Sequence, residues 1–108
     1  MFFGLAWKNK KNTAIVAHYG IKSDQYRDYL KVTYRRPPQT IDVYLHELNK
    51  QIKCNLTQSF WGSSPVIRHS IFPFYISHAN KGLLWWPKGS PIEFVIIPTK
   101  SGCRINIK

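Results

Sequence analysis

Arg68, His69, His78 and Lys81 fall within fourteen residues of one another, in the segment RHSIFPFYISHANK. Two imidazoles and two cations are the inventory of metal-independent RNA cleavage. One ring takes the proton of the 2'-hydroxyl, the other returns a proton to the leaving oxygen, and a cation steadies the charge on phosphorus. The chemistry needs both rings at one phosphate, which would follow if residues 66–70 and 74–78 were paired strands. Against it, four histidines in 108 residues is an ordinary number, and most histidines are hydrogen-bonded or solvent-facing rather than catalytic. A toxin-type ribonuclease therefore stands as one alternative reading, and the balance is against an enzyme.

Metal-dependent chemistry has less support. The acids are Asp24, Asp28, Asp42, Glu47 and Glu93 alone, and two of them sit where helix starts are expected, which leaves little to hold magnesium. Cys54 and Cys103 are isolated rather than in C-x-x-C spacing, so a structural zinc site is not expected. Two free, mostly buried thiols are the favoured state, over a single disulfide. The phosphate-cradling, dinucleotide, nucleophile-elbow and H-E-x-x-H motifs are all absent from the sequence. No cofactor is expected.

Charge is the most informative property. Sixteen Lys and Arg against five Asp and Glu give a net charge of +11, so most cations lack an acidic partner and the chain attracts polyanions. Nucleic acid is the first partner to consider. Three places set an aromatic ring beside basic residues: Trp7 before KNKK, Tyr34 before Arg35 and Arg36, and Trp86 before the Pro-Lys-Gly turn that carries Lys88. Rings that stack on bases while cations hold phosphates are what single-stranded nucleic acid requires. The candidate contacts are Lys8, Lys10, Lys11, Lys31, Arg35, Arg36 and Lys88 for phosphate, with Tyr34 and Trp86 for stacking. RNA or single-stranded DNA is expected before duplex. Exposed Trp, Tyr and Arg also anchor protein interfaces, so the other alternative is a small inhibitor or adaptor facing an acidic protein, such as a virus- or mobile-element-encoded blocker of a nucleic-acid-handling complex.

These groups must be positioned by one unit, since 108 residues with 44% hydrophobic and 15% aromatic content make a single foldable domain over 1–108, without repeat or linker. No run approaches the roughly 20 apolar residues of a membrane span, and the chain reads as soluble and cytoplasmic. The expected fold is α+β: an N-terminal β-hairpin, two helices, then a mainly antiparallel sheet. FFGLAWK and TAIVAHYG form the hairpin around NKKN. Ser23 caps a first helix with Tyr26, Tyr29, Leu30 and Tyr34 on one face, stopped by RRPP. Ile41, Leu45, Leu48, Ile52, Leu56 and Phe60, at spacings of three and four, predict a second helix from Thr40 to Gly62. Strands are expected near 66–70, 74–78, 83–86, 92–97 and 103–107.

Overall fold

A computed structural model describes residues 1–8, 18–79 and 92–108, with the side chains of residues 7, 8, 18, 19, 77 and 79 left aside. Among the described residues seven strands form one sheet: β1 (Phe2–Lys8), β2 (His18–Lys22), β3 (Thr40–Leu45), β4 (Lys50–Asn55), β5 (Val66–Arg68), β6 (Glu93–Pro98) and β7 (Gly102–Ile107). The order across the sheet is β4-β3-β7-β6-β1-β2-β5. All neighbours are antiparallel except β3 and β7, which run parallel with Val43 opposite Cys103. Three α-helices among the described residues accompany the sheet: α1 (Asp24–Thr33), α2 (Gln58–Trp61) and α3 (Phe72–Ala79). The class is α+β with a mainly antiparallel sheet, as the composition and patterning lead one to expect.

The period-two pattern of the strands decides which face is core. Ile41, Val43 and Leu45 of β3, Ile52 and Cys54 of β4, Phe94 and Ile96 of β6, and Cys103 and Ile105 of β7 all point to one side and are buried. The sheet curls around that side. Its two edge strands, β4 and β5, approach to within 8 Å between Cα atoms while sharing no hydrogen-bonded ladder among the described residues. Right-handed twist accumulated over seven strands accounts for such curling.

Helices lie at the two ends of the curled sheet, and the register fixes which is where. One end carries the β6–β7 turn at 99–101, the start of β3 and the finish of β4. α1 belongs to it. Ser23, at its N-cap, accepts from the Tyr26 amide at 3.1 Å and donates from the same hydroxyl to the Phe3 carbonyl at 2.8 Å, while Gln25 accepts from the Phe3 amide at 3.0 Å. These side chains satisfy β1 beyond the point where β2 stops pairing with it. Tyr26 and Leu30 are buried, and at the other end of the helix the Tyr34 hydroxyl donates to the Lys100 carbonyl at 3.4 Å. The opposite end carries the β3–β4 turn at 46–49 and α3. There Glu47 accepts from the Tyr75 hydroxyl at 2.6 Å and from the Ile107 amide at 2.9 Å.

The expected second helix is corrected to a hairpin. Residues 40–45 and 50–55 are strands β3 and β4, joined by a 3-10 turn at His46–Leu48 and by Asn49 in the left-handed region at φ 48°. Spacings of four suit a strand as well as a helix, because residues i, i+2 and i+4 share a strand face. The deciding residues are Val43 and Cys54, which fill the intervening i+2 positions and are buried. The expected strand at 74–78 is corrected as well, to α3. Phe72, Tyr75 and Ile76 fall at i, i+3 and i+4 and are fully buried, while Phe74 is 64% exposed. Pro73 is accommodated because the first turn of a helix needs no amide donor there. The second arm of the N-terminal hairpin, expected over 13–20, is seen at His18–Lys22 and ends two residues later than expected; residues 13–17 of it and the expected strand at 83–86 lie outside the described residues.

Glycine is required where backbones close on one another. A Cβ on Gly20 would stand 2.0 Å from the Ile67 carbonyl oxygen, and one on Gly102 would stand 2.0 Å from that of Asp42. Both positions sit at strand junctions, β2 with β5 and β7 with β3.

Candidate nucleic-acid interface

The 99–101 end of the sheet collects the C-terminal turn of α1, the 34–39 loop, the start of β3, the last residues of β4, α2 and the β6–β7 turn. The sequence dictates much of this. Pro37 and Pro38 forbid continuation of α1 and send the chain, in extended form from Tyr34, toward β3. The Gln39 carbonyl then accepts the Leu56 amide at 2.7 Å, and the Asp42 amide donates to the Ser101 carbonyl at 3.0 Å. Arg27 joins α1 to the loop after α2 by donating to the Gly62 carbonyl, and it is paired with Asp28 and Asp24.

Five cationic side chains stand at this end: Lys31 on α1, Arg35 and Arg36 after it, Lys53 on β4 and Lys100 in the β6–β7 turn. All five are exposed, and none makes an ion pair among the described residues. Asp42 stands opposite Lys53 in the ladder, and Asp28, paired with Arg27, lies three residues before Lys31 on α1. At the same end opens a groove of about 590 Å³, lined by Pro37, Gln39, Thr40, Asn55, Leu56, Gln58 and Trp61. Trp61 is half-buried and held edge-on by Phe60, with ring centroids 4.9 Å apart and planes at 88°. The side chains of Gln39, Asn55 and Gln58 make no hydrogen bond among the described residues and are exposed to solvent, free to serve a ligand as donor or acceptor.

A second groove, of about 480 Å³, runs over Phe3, Leu5, Lys22, Asp24, Gln25, Glu93 and Lys108. Its charges balance: Glu93 takes the Lys108 ammonium at 2.8 Å, and Asp24 lies beside it. A polyanion gains nothing there, so the open, uncompensated end is the better site.

The candidate residues divide accordingly. Lys31, Tyr34, Arg35 and Arg36 come together at the 99–101 end. Tyr34 is half-buried against the core, as Trp61 is, but it is also bound through its hydroxyl to the Lys100 carbonyl, so it braces the loop more than it offers a stacking face. Lys8 belongs to the opposite end, because β1 runs antiparallel to β6 with Phe2 against Ile96. Lys10, Lys11, Lys81, Trp86 and Lys88 lie outside the described residues. Arg68 is exposed at the end of β5.

The two histidines do not share a strand pair. His69 precedes α3 and serves its first turn: its Nδ1 accepts from the Ile71 amide at 3.1 Å and its carbonyl accepts from the Phe72 amide at 3.0 Å. His78 is exposed in the last turn. At roughly 1.5 Å rise per residue, His78 stands about 9 Å further along the axis than Phe72. The two rings thus stand at opposite ends of α3 rather than on paired strands.

Sequence reasoning missed Trp61, Gln39, Asn55, Gln58, Lys53 and Lys100. Their neighbours are supplied by fold rather than by sequence: Pro37 and Trp61 line one groove from 24 positions apart. Trp61 precedes Gly-Ser-Ser, not a basic run, and a search for rings beside cations passes over it.

Buried titratable groups belong to the core rather than to this surface. Cys54 and Cys103 are free and buried, and burial pushes both thiols up to about 12. They flank β3 from either side, Cys54 opposite Ile41 and Cys103 opposite Val43, roughly two strand spacings apart and two residues out of step, too far for a disulfide. The Tyr26 hydroxyl lies beside Cys103 with no oxygen or nitrogen partner among the described residues, and burial raises it well above the usual phenol range. Among the described residues, no group of three His, Cys, Asp or Glu is placed to hold a metal ion, and no helix is long and apolar enough to cross a membrane. Set against protein-family models, curated proteins and solved structures, the chain matches none.

Proposed function

We propose that this protein is a small basic nucleic-acid-binding module for RNA or single-stranded DNA, in which Lys31, Arg35, Arg36, Lys53 and Lys100 hold phosphates. The observation that carries the reading is the gathering of these five exposed cations, drawn from four separate elements, with no ion pair among the described residues. An exposed cation that the protein leaves unpaired keeps a counterion atmosphere which a phosphate chain displaces. The surplus of +11 supplies the long-range attraction. The cations act by position and charge, so the reading needs no catalytic group, and the separation of His69 from His78 speaks against the ribonuclease alternative.

The test is a titration of the purified protein with a labelled single-stranded RNA at two salt concentrations, followed by a gel of the same RNA after an hour. Binding that weakens steeply with salt and leaves the RNA intact supports the reading. Arg35→Glu with Arg36→Glu should abolish it. Binding untouched by that double reversal would overturn the proposed surface, and absence of salt-sensitive binding to any polynucleotide would turn attention to an acidic protein partner.

A further inference from the structure

We infer that the groove beside Trp61 receives a single unpaired base of the bound strand, stacked on the indole and read by the amides around it. The inference rests on the nucleic-acid reading and specifies its ligand. Three observations converge on the groove. Its volume of about 590 Å³ lies in the range of small-ligand sites, ample for one base and its sugar. Its lining joins one aromatic ring, itself fixed edge-on by Phe60, to the side chains of Gln39, Asn55 and Gln58, which have no partner among the described residues. Each amide presents a donor and an acceptor, the complement of a base edge. Finally, Arg36 adjoins Pro37 on one rim, and Lys53 lies two residues before Asn55 on the other. The phosphates on either side of a seated base would meet these two rims.

Charge decides between ligand classes. A neutral sugar would use the ring and the amides yet leave the rim cations without a role, whereas a nucleotide strand uses all of them. A paired base cannot enter, because its face is stacked in the duplex and its edge is occupied by its partner. The site therefore discriminates single strand from duplex, while the cations alone do not.

The experiment compares the protein with its Trp61→Leu and Gln58→Ala variants on a 12-nucleotide single-stranded RNA and on a duplex of the same sequence. Leucine keeps apolar volume against Phe60, and thermal unfolding checks that each variant is folded. Gln58 is exposed, so its variant tests the groove without touching the core. Stacking on one base corresponds to about 5- to 150-fold in affinity. Trp61→Leu should lose an amount in that range on the single strand and less than twofold on the duplex. Gln58→Ala should change the ranking among oligo-A, oligo-C, oligo-G and oligo-U. Equal losses on both substrates, or no loss and no change of ranking, would overturn the inference while salt-sensitive binding persisted. If no polynucleotide bound to the unaltered protein, the underlying reading would fail instead.

Discussion

Replacing Arg35 and Arg36 together by alanine tests the proposed interface quantitatively. Both side chains are exposed, both follow the end of α1, and neither makes a hydrogen bond or ion pair among the described residues. Their removal should change stability by less than about 0.5 kcal/mol. Binding should respond in a different way. On a single strand each neutralised phosphate contributes about 0.7 to the slope of log affinity against log salt, so five cations give about −3.5, and three remaining cations give about −2.1. Raising salt from 50 to 200 mM then weakens the unaltered protein about 130-fold and the double variant about 18-fold. Fluorescence anisotropy of a labelled 12-nucleotide RNA, titrated at four salt concentrations, reads both slopes. A double variant that loses affinity at low salt but keeps a slope near −3.5 would refute the reasoning, because the two arginines would then act by something other than phosphate neutralisation.

Other consequences of the structure are open to direct measurement. Gly102→Ala forces a methyl to 2.0 Å from the Asp42 carbonyl oxygen and should cost about 1 to 3 kcal/mol, a fall in Tm of roughly 5 to 20 °C. An unchanged Tm would contradict the close β3–β7 approach. Glu47→Ala strips an acceptor from both the Tyr75 hydroxyl and the Ile107 amide and should destabilise by about 2 to 3 kcal/mol, with Glu47→Gln intermediate in chemical unfolding. Cys54 and Cys103, raised to about 12 by burial, should resist a thiol reagent at pH 8 until the protein unfolds. Because unfolded thiols ionise near pH 8.5, the stability these groups contribute is complete below that pH and declines as pH rises toward 12. An alkaline unfolding curve left unchanged by Cys54→Val would count against the assignment.

What could be read in advance was local, and what could not depends on distant partners. Ser23 and the RRPP stop mark both ends of α1, because capping and proline chemistry act within a few residues. Glu93–Pro98 and Gly102–Ile107 follow from alternation and from the turn residues between them. The stretch from Thr40 to Gly62 failed because four-residue spacing is common to both periodicities, and only Val43 and Cys54 break the tie. The α3 segment failed for a related reason: Phe74, Ile76 and His78 alternate convincingly, but the burial that counts is on Phe72, Tyr75 and Ile76. At the candidate interface, Arg35 and Arg36 were visible as a pair of adjacent charges. Trp61, Lys53 and Lys100 join them only through the curl of the sheet and the parallel pairing of β3 with β7, neither of which leaves a local mark.

That parallel pairing also sets an order of assembly. β7 is the last of the described strands in sequence, yet it lies between β3 and β6, so among the described residues the β3–β4 hairpin joins the rest of the sheet only once residues 102–107 are in place. Without β7 the sheet divides into two parts, β4-β3 and β6-β1-β2-β5, each with an open edge able to pair with another chain. The slowest step of folding should accordingly be the insertion of β7, a closure over roughly 60 residues of intervening chain. Removing residues 102–108 should leave the two pieces prone to associate rather than yield a smaller folded domain.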